Sequence, residues 1–267
     1  MWRAWRVAGR VLRPADPATQ RRDRLAQQIR AVHGEVRQLY GSPRMTAELN
    51  ARGVSVRVNT VARVMRAAGI RARTTRRFVR TTDSRHRLPV SANVSDRNFA
   101  ASEPNQKWAM DLTYVATGEG WLFLALVVDR FSRRVVGWAM DATMTSRLVV
   151  DALATAVGRR RAVAGVVAHS DRGNQYASEH YQAELSRHRM VGSMSGMGQC
   201  WDNAVIESTF GRMKVESCHH ESCATREQAK ASIFEYIEAF YNRVRRHSAL
   251  EYLTPDEFER THNPDSR

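Results

Sequence analysis

Between residues 21 and 39 the apolar positions fall three and four apart, at Leu25, Ile29, Val32, Val36 and Leu39. That spacing predicts an amphipathic helix, which Gly41, Ser42 and Pro43 interrupt. A short helix is expected from Thr46 to Arg52, closed by Gly53. Another is expected with Asn59 or Thr60 as its cap, Val61, Val64 and Met65 on its inner face and Gly69 at its end. From 71 to 105 the period is lost, and the segment is basic and polar, the texture of a linker. Periodicity returns as strand alternation in KWAMDLTYVAT, where Trp108, Met110, Leu112 and Tyr114 oppose Ala109, Asp111, Thr113 and Val115. WLFLALVVD is a nearly continuous apolar run, as expected of a strand covered on both faces, and RRVVGWAM reads as a third strand.

Beyond these three strands, Thr145 opens a predicted helix running to about Gly158, with Leu148, Val149, Leu153 and Val157 inward. AGVVAHSD is a fourth strand ending at His169–Asp171, 178–188 a helix, and RMVGSMS a fifth strand. Helices follow from about Trp201 to Glu216 and from about Arg226 to Tyr241. The order βββαβαβα predicts an α/β, ribonuclease-H-like arrangement, a mixed five-stranded sheet with flanking helices. The expected organisation is a helical, helix-turn-helix-like domain over 1–70, a basic linker over 71–105 and the α/β core over 106–262. The second helix of the front pair carries Arg57, Arg63 and Arg66, as a DNA-reading helix does; a three-helix packing module with solvated arginines is the alternative.

Charge narrows the partners. The 267 residues carry a formal net charge of +15, and Lys107, Lys214 and Lys230 are the only lysines among 42 basic residues. An arginine-rich excess over 27 acids favours a polyanion, nucleic acid before anionic membrane. No run of roughly eighteen apolar residues suggests a membrane span. Arg3, Arg6 and Arg10 break up the apolar residues of the N-terminus, which is a poor signal peptide, so a cytoplasmic location is expected. Three cysteines, Cys200, Cys218 and Cys223, do not make a disulfide scaffold. CHHESC invites zinc, but adjacent histidines on a helix point about 100° apart and no second ligand pair follows, so a polar helix end is the favoured reading.

Three carboxylates stand out by position: Asp111 within the first strand, Asp171 just past the fourth and Glu207 on the long helix. In the expected fold they converge at one mouth. Converging like charges raise one another's pKa and destabilise the site. A hard cation resolves this, since Mg²⁺ takes oxygen ligands and keeps waters for a substrate phosphate, and a pair of such ions suits phosphodiester chemistry. Gly173 permits a sharp turn after Asp171, where His169, Arg172 and Asn174 crowd polar groups together, and Arg172 is a candidate DNA contact. Lys214 lies seven residues past Glu207, on the same helix face, placed to hold a DNA phosphate; a salt bridge to Glu207 or Glu216 is the alternative. Trp108 and Trp201 flank two of the acids and read as packing groups.

The strings YGSPRMTAELNARG, VNTVARVMRAAGI, WAMDLTYV, HSDRGNQYAS, MGQCWDNAVIESTF and YNRVRRHSALEYLTPDEFE follow one another in order. Together they resemble the second-reading-frame transposase (OrfB) of IS3-type bacterial insertion sequences, relatives of retroviral integrase. The 35 residues from 172 to 206 match the spacing of the second and third acids in that group. The resemblance implies that Asp111, Asp171 and Glu207 are a catalytic, metal-binding triad using Mg²⁺, with Mn²⁺ able to substitute. It implies that Lys214 contacts the transposon end and that the YNRVRRHSAL segment, with Arg245 and Arg246, assists DNA binding. The implied reaction is 3′-end strand cleavage followed by strand transfer into target DNA. The implied partners are the element's terminal inverted repeats, target DNA, further copies of the chain on DNA and the first-frame product of the same element. A front zinc module of the retroviral kind is missing, as is the heptad run that the first frame usually encodes. A non-catalytic regulator of transposition or remnant of a decayed element, and a structure-selective nuclease on the same fold, are the rival readings.

Overall fold

The computed structural model describes residues 16–73, 101–161, 164–195, 204–218 and 223–262. Contacts divide the chain into two compact units, which part between Arg73 and Thr74.

The first unit is built from three helices, α1 (Pro17–Glu35), α2 (Ser42–Ala51) and α3 (Val58–Ala67). The 3,4-spaced apolar residues of α1 bury Ile29 and Val32, which with Val36, Tyr40, Met45, Leu49, Val61, Val64 and Met65 make one small core. Pro43, expected to interrupt the helix, instead sits in the first turn of α2, where a missing N–H is harmless. Gly53 follows α2 with φ +82°, the left-handed conformation that ends a helix without a side-chain clash. The tight connection to α3 is fastened by Asn50, whose side-chain oxygen accepts from the Val56 N–H at 3.0 Å. Arg57, not Asn59 or Thr60, occupies the N-cap position of α3. Two short helices joined this way form the expected helix-turn-helix-like pair, and Arg57, Arg63 and Arg66 are all exposed on the second.

The second unit is a mixed five-stranded sheet in the order β3-β2-β1-β4-β5. Its strands are β1 (Lys107–Thr117), β2 (Gly120–Asp129), β3 (Val135–Asp141), β4 (Val167–Ser170) and β5 (Val191–Met194). The first three form an antiparallel meander, while β1–β4 and β4–β5 pair in parallel. Period-two alternation places Trp108 and Met110 of β1 beside Val127 and Ala125 of β2 on one face. Helices α4 (Ser146–Arg160) and α5 (Glu179–Arg187) cover that face through Leu148, Val149, Ala152, Leu153, Tyr181 and Leu185. Gly137 makes the close approach of α4 possible: a Cβ there would meet the Ala152 carbonyl oxygen, the Ala156 Cβ and the Ala156 nitrogen.

Helix α6 (Ala204–Met213) is followed by a π-helical turn over Lys214–Cys218. Helix α7 (Arg226–Glu235) likewise passes into π-helical turns over Tyr236–Tyr241, so both long helices predicted from the sequence change their pitch near the end. The chain returns to the β3 edge, where the Asn242 side-chain amide accepts from the Val135 N–H and donates to its carbonyl, both at 3.0 Å. A last helix, α8 (Pro255–His262), carries the buried Glu259, which binds Ser132, Arg134 and Arg160. Although burial pushes the Glu259 carboxyl up, Arg160, Ser132 and Arg134 hold it below the usual range. Among the described residues, no helix is long and apolar enough to cross a membrane.

Replacing Gly137 by alanine forces α4 away from β3 and should lower stability by about 1–3 kcal/mol, the usual effect of overpacking. Urea unfolding of the two proteins would measure it; an unchanged midpoint would mean that α4 yields freely.

Candidate active site

The parallel ladder between β1 and β4 sets the site. Ala109 pairs with His169 and Met110 with Ser170, so Asp111 and Asp171 each stand one residue further along adjacent strands, about 4.8 Å apart in the backbone. Asp111 accepts the N–H of Leu112 at 2.8 Å, and Asp171 accepts that of Gly173 at 2.9 Å. The second bond closes an Asx turn. A Cβ on Gly173 would approach the same Asp171 oxygen to 3.0 Å, so a side chain there crowds the carboxylate.

Tyr176 lies five residues past Asp171, in the same loop. Its ring is buried beside Tyr181, and its hydroxyl has no hydrogen-bond partner among the described residues. Burial pushes the Tyr176 phenol well above its ordinary pKa, and the charges of Asp111 and Asp171 push it further in the same direction. A buried hydroxyl without a partner, beside a site of oxygen donors, is a place where a hydrated hard cation fits by donor chemistry.

The loop bearing Asp171 is pinned to β5. His169 is fully buried, with Nδ1 3.0 Å from the Ser193 hydroxyl and Nε2 3.2 Å from that of Ser195. The Ser195 N–H donates to the Ser170 carbonyl at 3.0 Å. Arg172, expected to touch DNA, is half-buried and donates from Nε to the Ser195 carbonyl at 2.7 Å, so it also holds this loop. No spacing in the sequence singles out Ser193 or Ser195; only the β4–β5 register brings them to the histidine.

Glu207 lies in the first turn of α6, half-buried, next to the fully buried Ile206. The helix packs along β1 and runs in its direction. Lys214 Nζ lies 5.0 Å from the centre of the Tyr114 ring, and further along the Gly118 N–H donates to the Cys223 carbonyl at 3.0 Å. Two helical turns separate Glu207 from Lys214 and three strand residues separate Asp111 from Tyr114, about 10 Å in each case. Among the described residues, however, no three His, Cys, Asp or Glu groups surround one point closely enough to hold an ion, so the expected triad is not drawn together as a ligand cluster. Trp108 is a core residue, as expected. Trp201 and most of CHHESC lie outside the described residues, and Cys223 is buried.

Arg245 and Arg246 depart from expectation. Arg245 is 1% exposed, and its Nε and a terminal nitrogen grip Glu216 at 2.6 and 2.7 Å. Tyr236 donates to the same Glu216 carboxylate at 2.6 Å. Arg246 is 8% exposed and donates to the Tyr252 carbonyl at 2.9 Å. Arg245 thus fastens the C-terminal segment to the turn after α6, and Arg246 braces that segment internally. Basic character in sequence does not reveal burial, because the partner carboxylate lies 29 residues earlier.

A mixed sheet of this order with these helices is the integrase type of ribonuclease-H-like core. The chain matches the family model "Integrase core domain" over residues 101–200, a second model of that description over 207–262, and an "HTH-like domain" over 20–78. It is 48% identical over 231 residues to the transposase InsF of insertion sequence IS3A from Escherichia coli K12, covering 86% of this chain and 80% of that protein. It is 42% identical over 236 residues to a 31 kDa protein of insertion element IS600 from Shigella sonnei, covering 88% and 87%. Among solved structures it resembles a chain of a simian T-cell lymphotropic virus intasome, with a TM-score of 0.51 at 16% identity, over 80% of this chain and 70% of that one; at that identity the likeness concerns the fold. The chain belongs to the IS3 family of insertion-sequence DNA transposases, enzymes of the Asp-Asp-Glu transposase and integrase class.

Removing the Arg245 side chain strands a buried carboxylate. Arg245→Ala is expected to reduce stability by about 3–5 kcal/mol, read by chemical denaturation. If stability holds while DNA affinity falls, Arg245 acts as a DNA contact and not as a fastener.

Proposed function

We propose that Asp111, Asp171 and Glu207 are the catalytic carboxylates of this transposase, acting with divalent metal. The observation that carries the reading is the β1–β4 register, which brings Asp111 and Asp171 to the ends of neighbouring paired strands, with the buried Tyr176 hydroxyl left without a partner. Asp111 and Asp171 would hold the metal, with Glu207 supplied from α6. The all-oxygen donor set suits Mg²⁺, with Mn²⁺ as a substitute. Such an ion supplies charge compensation at the phosphate and lowers the pKa of a bound water.

The chain's own part is positional. The ladder, the Asx turn and the His169 clamp fix two carboxylates before DNA arrives, so little reorganisation remains for the reaction. In the first reaction the oxygen of water bonds to the scissile phosphorus, the P–O3′ bond breaks and the departing 3′-oxygen takes up a proton, leaving a free 3′-hydroxyl and a 5′-phosphate. In the second, that hydroxyl bonds to a phosphorus of target DNA, whose own 3′-oxygen leaves. Lys214, two turns past Glu207, is placed for a backbone phosphate, as a cation close to the reacting strand should be. The substrates we infer are the element's terminal inverted repeats and target duplex. The active form we infer is several copies of the chain on DNA, acting with the first-frame product of the element in the cytoplasm.

Purified chain, incubated with a labelled duplex of the element's terminal repeat and Mg²⁺, should give joined products. Glu207→Gln and Asp171→Asn should reduce joining below detection while leaving duplex binding in EDTA intact; a variant that still joins strands removes its residue from the triad.

The front unit should read DNA through α3. Arg63→Ala combined with Arg66→Ala is expected to weaken duplex binding and to flatten the plot of log affinity against log salt by about 1.8, two phosphate contacts at about 0.9 each. An unchanged slope would leave the exposed arginines as solvated groups.

A further inference from the structure

At the far end of the β1–β2 hairpin two aromatic rings stand in the open. Tyr114 is 41% and Trp121 51% exposed. They are diagonal neighbours across the antiparallel pair, since Tyr114 faces Phe123 and Ala116 faces Trp121. Their rings meet edge to face, with centroids 4.8 Å apart and planes at 75°. Lys214 Nζ lies over the Tyr114 ring at 5.0 Å.

Their backbone is anchored from two sides. The Thr117 hydroxyl donates to the Gly120 carbonyl at 2.7 Å and accepts from the Glu119 N–H at 3.2 Å, bracing the turn. Arg226 donates from Nε to the Trp121 carbonyl at 3.0 Å, and its own N–H donates to Glu119 at 2.9 Å. Half of the Trp121 indole thus faces solvent on an anchored backbone, and Tyr114, with Lys214 over its ring, lies about 10 Å along β1 from Asp111. Core packing accounts for the buried half of such rings, not for the exposed half. Aromatic faces interleaved with basic side chains, in a chain of charge +15, match the chemistry of an unpaired nucleotide, whose base stacks while its phosphate meets the cation.

We propose that Tyr114 and Trp121 form a stacking platform for an unpaired base of a frayed or single-stranded DNA end, with Lys214 meeting the neighbouring phosphate. This rests on the reading of the carboxylate site as one that acts on DNA.

The test uses the full chain in EDTA, where binding is separated from catalysis. Two fluorescein-labelled probes share one duplex, one fully paired and one with a short single-stranded tail bearing 2-aminopurine. Trp121→Ala should weaken binding of the tailed probe about 5- to 30-fold, the loss of one stacked base, and abolish quenching of its 2-aminopurine. Affinity for the paired probe should hold, and Trp121→Phe should restore most of the tailed binding. Equal affinities of Trp121→Ala and the parent for the tailed probe would overturn the platform. So would a Trp121→Ala protein whose only change is a lost self-association in sedimentation, which would make the patch a contact between copies. Glu207→Gln, run in parallel, should keep the tail preference. If instead the parent chain shows that preference but joins no strands with Mg²⁺, the platform stands and the catalytic reading fails.

Discussion

Two carboxylates of like charge must be held side by side before anything can neutralise them, and the parallel pairing of β1 with β4 imposes that condition. Four pairs of residues in register carry Asp111 and Asp171 to the same level. The repulsion has to be borne by the rest of the domain. A fully buried histidine between two serines and an arginine on the Ser195 carbonyl tie the Asp171 loop to β5 and the residue after it, and an Asx turn at Gly173 fixes the loop internally. The sheet can sustain this because its other face is filled by α4 and α5, with Gly137 letting α4 sit directly on β3. Rigidity of the apolar side and strain of the charged side are thus two aspects of one arrangement.

A second buried charge system governs the helices. Glu216 lies in one π-helical turn and Tyr236 begins the other, and the Glu216 carboxylate accepts from both Tyr236 and Arg245. A π turn accommodates an extra residue. Here it lets Val215, Glu216 and Ser217 all be buried in succession, and likewise Tyr236 and Ile237, then Phe240 and Tyr241. The pitch of α6 beyond Glu207 is therefore tied to an ion pair with the C-terminal segment. A bidentate guanidinium is suited to that task, since a lysine offers a point charge and no fork.

Much of this was legible in the chain. Strand alternation delimits β1 at Lys107 and Thr117, and element and spacing alone mark out the three acids. What escaped had physical reasons. Pro43 was read as a breaker because proline is ambiguous until its position within the first turn is known. The π turns follow from a tertiary ion pair, and local periodicity carries no trace of one. Arg245 and Arg246 looked like phosphate contacts because formal charge counts exposed and buried guanidiniums alike. Tyr114 shares the face of Trp108 and Met110 by parity, which suggests burial; it lies beyond the reach of β4, where the cover ends.

The Asn242 amide that completes the β3 edge has a consequence in time. It is joined to Val135 across 107 residues, and Glu259 reaches Ser132 across 127. A ribosome adding about 5–20 residues per second leaves β3 waiting some 5–20 s for these partners. Throughout that interval the nascent sheet has a raw margin at Val135 and a cationic Arg134 without its eventual acids. The core of this transposase is thus stitched shut from downstream, and its assembly is paced by translation.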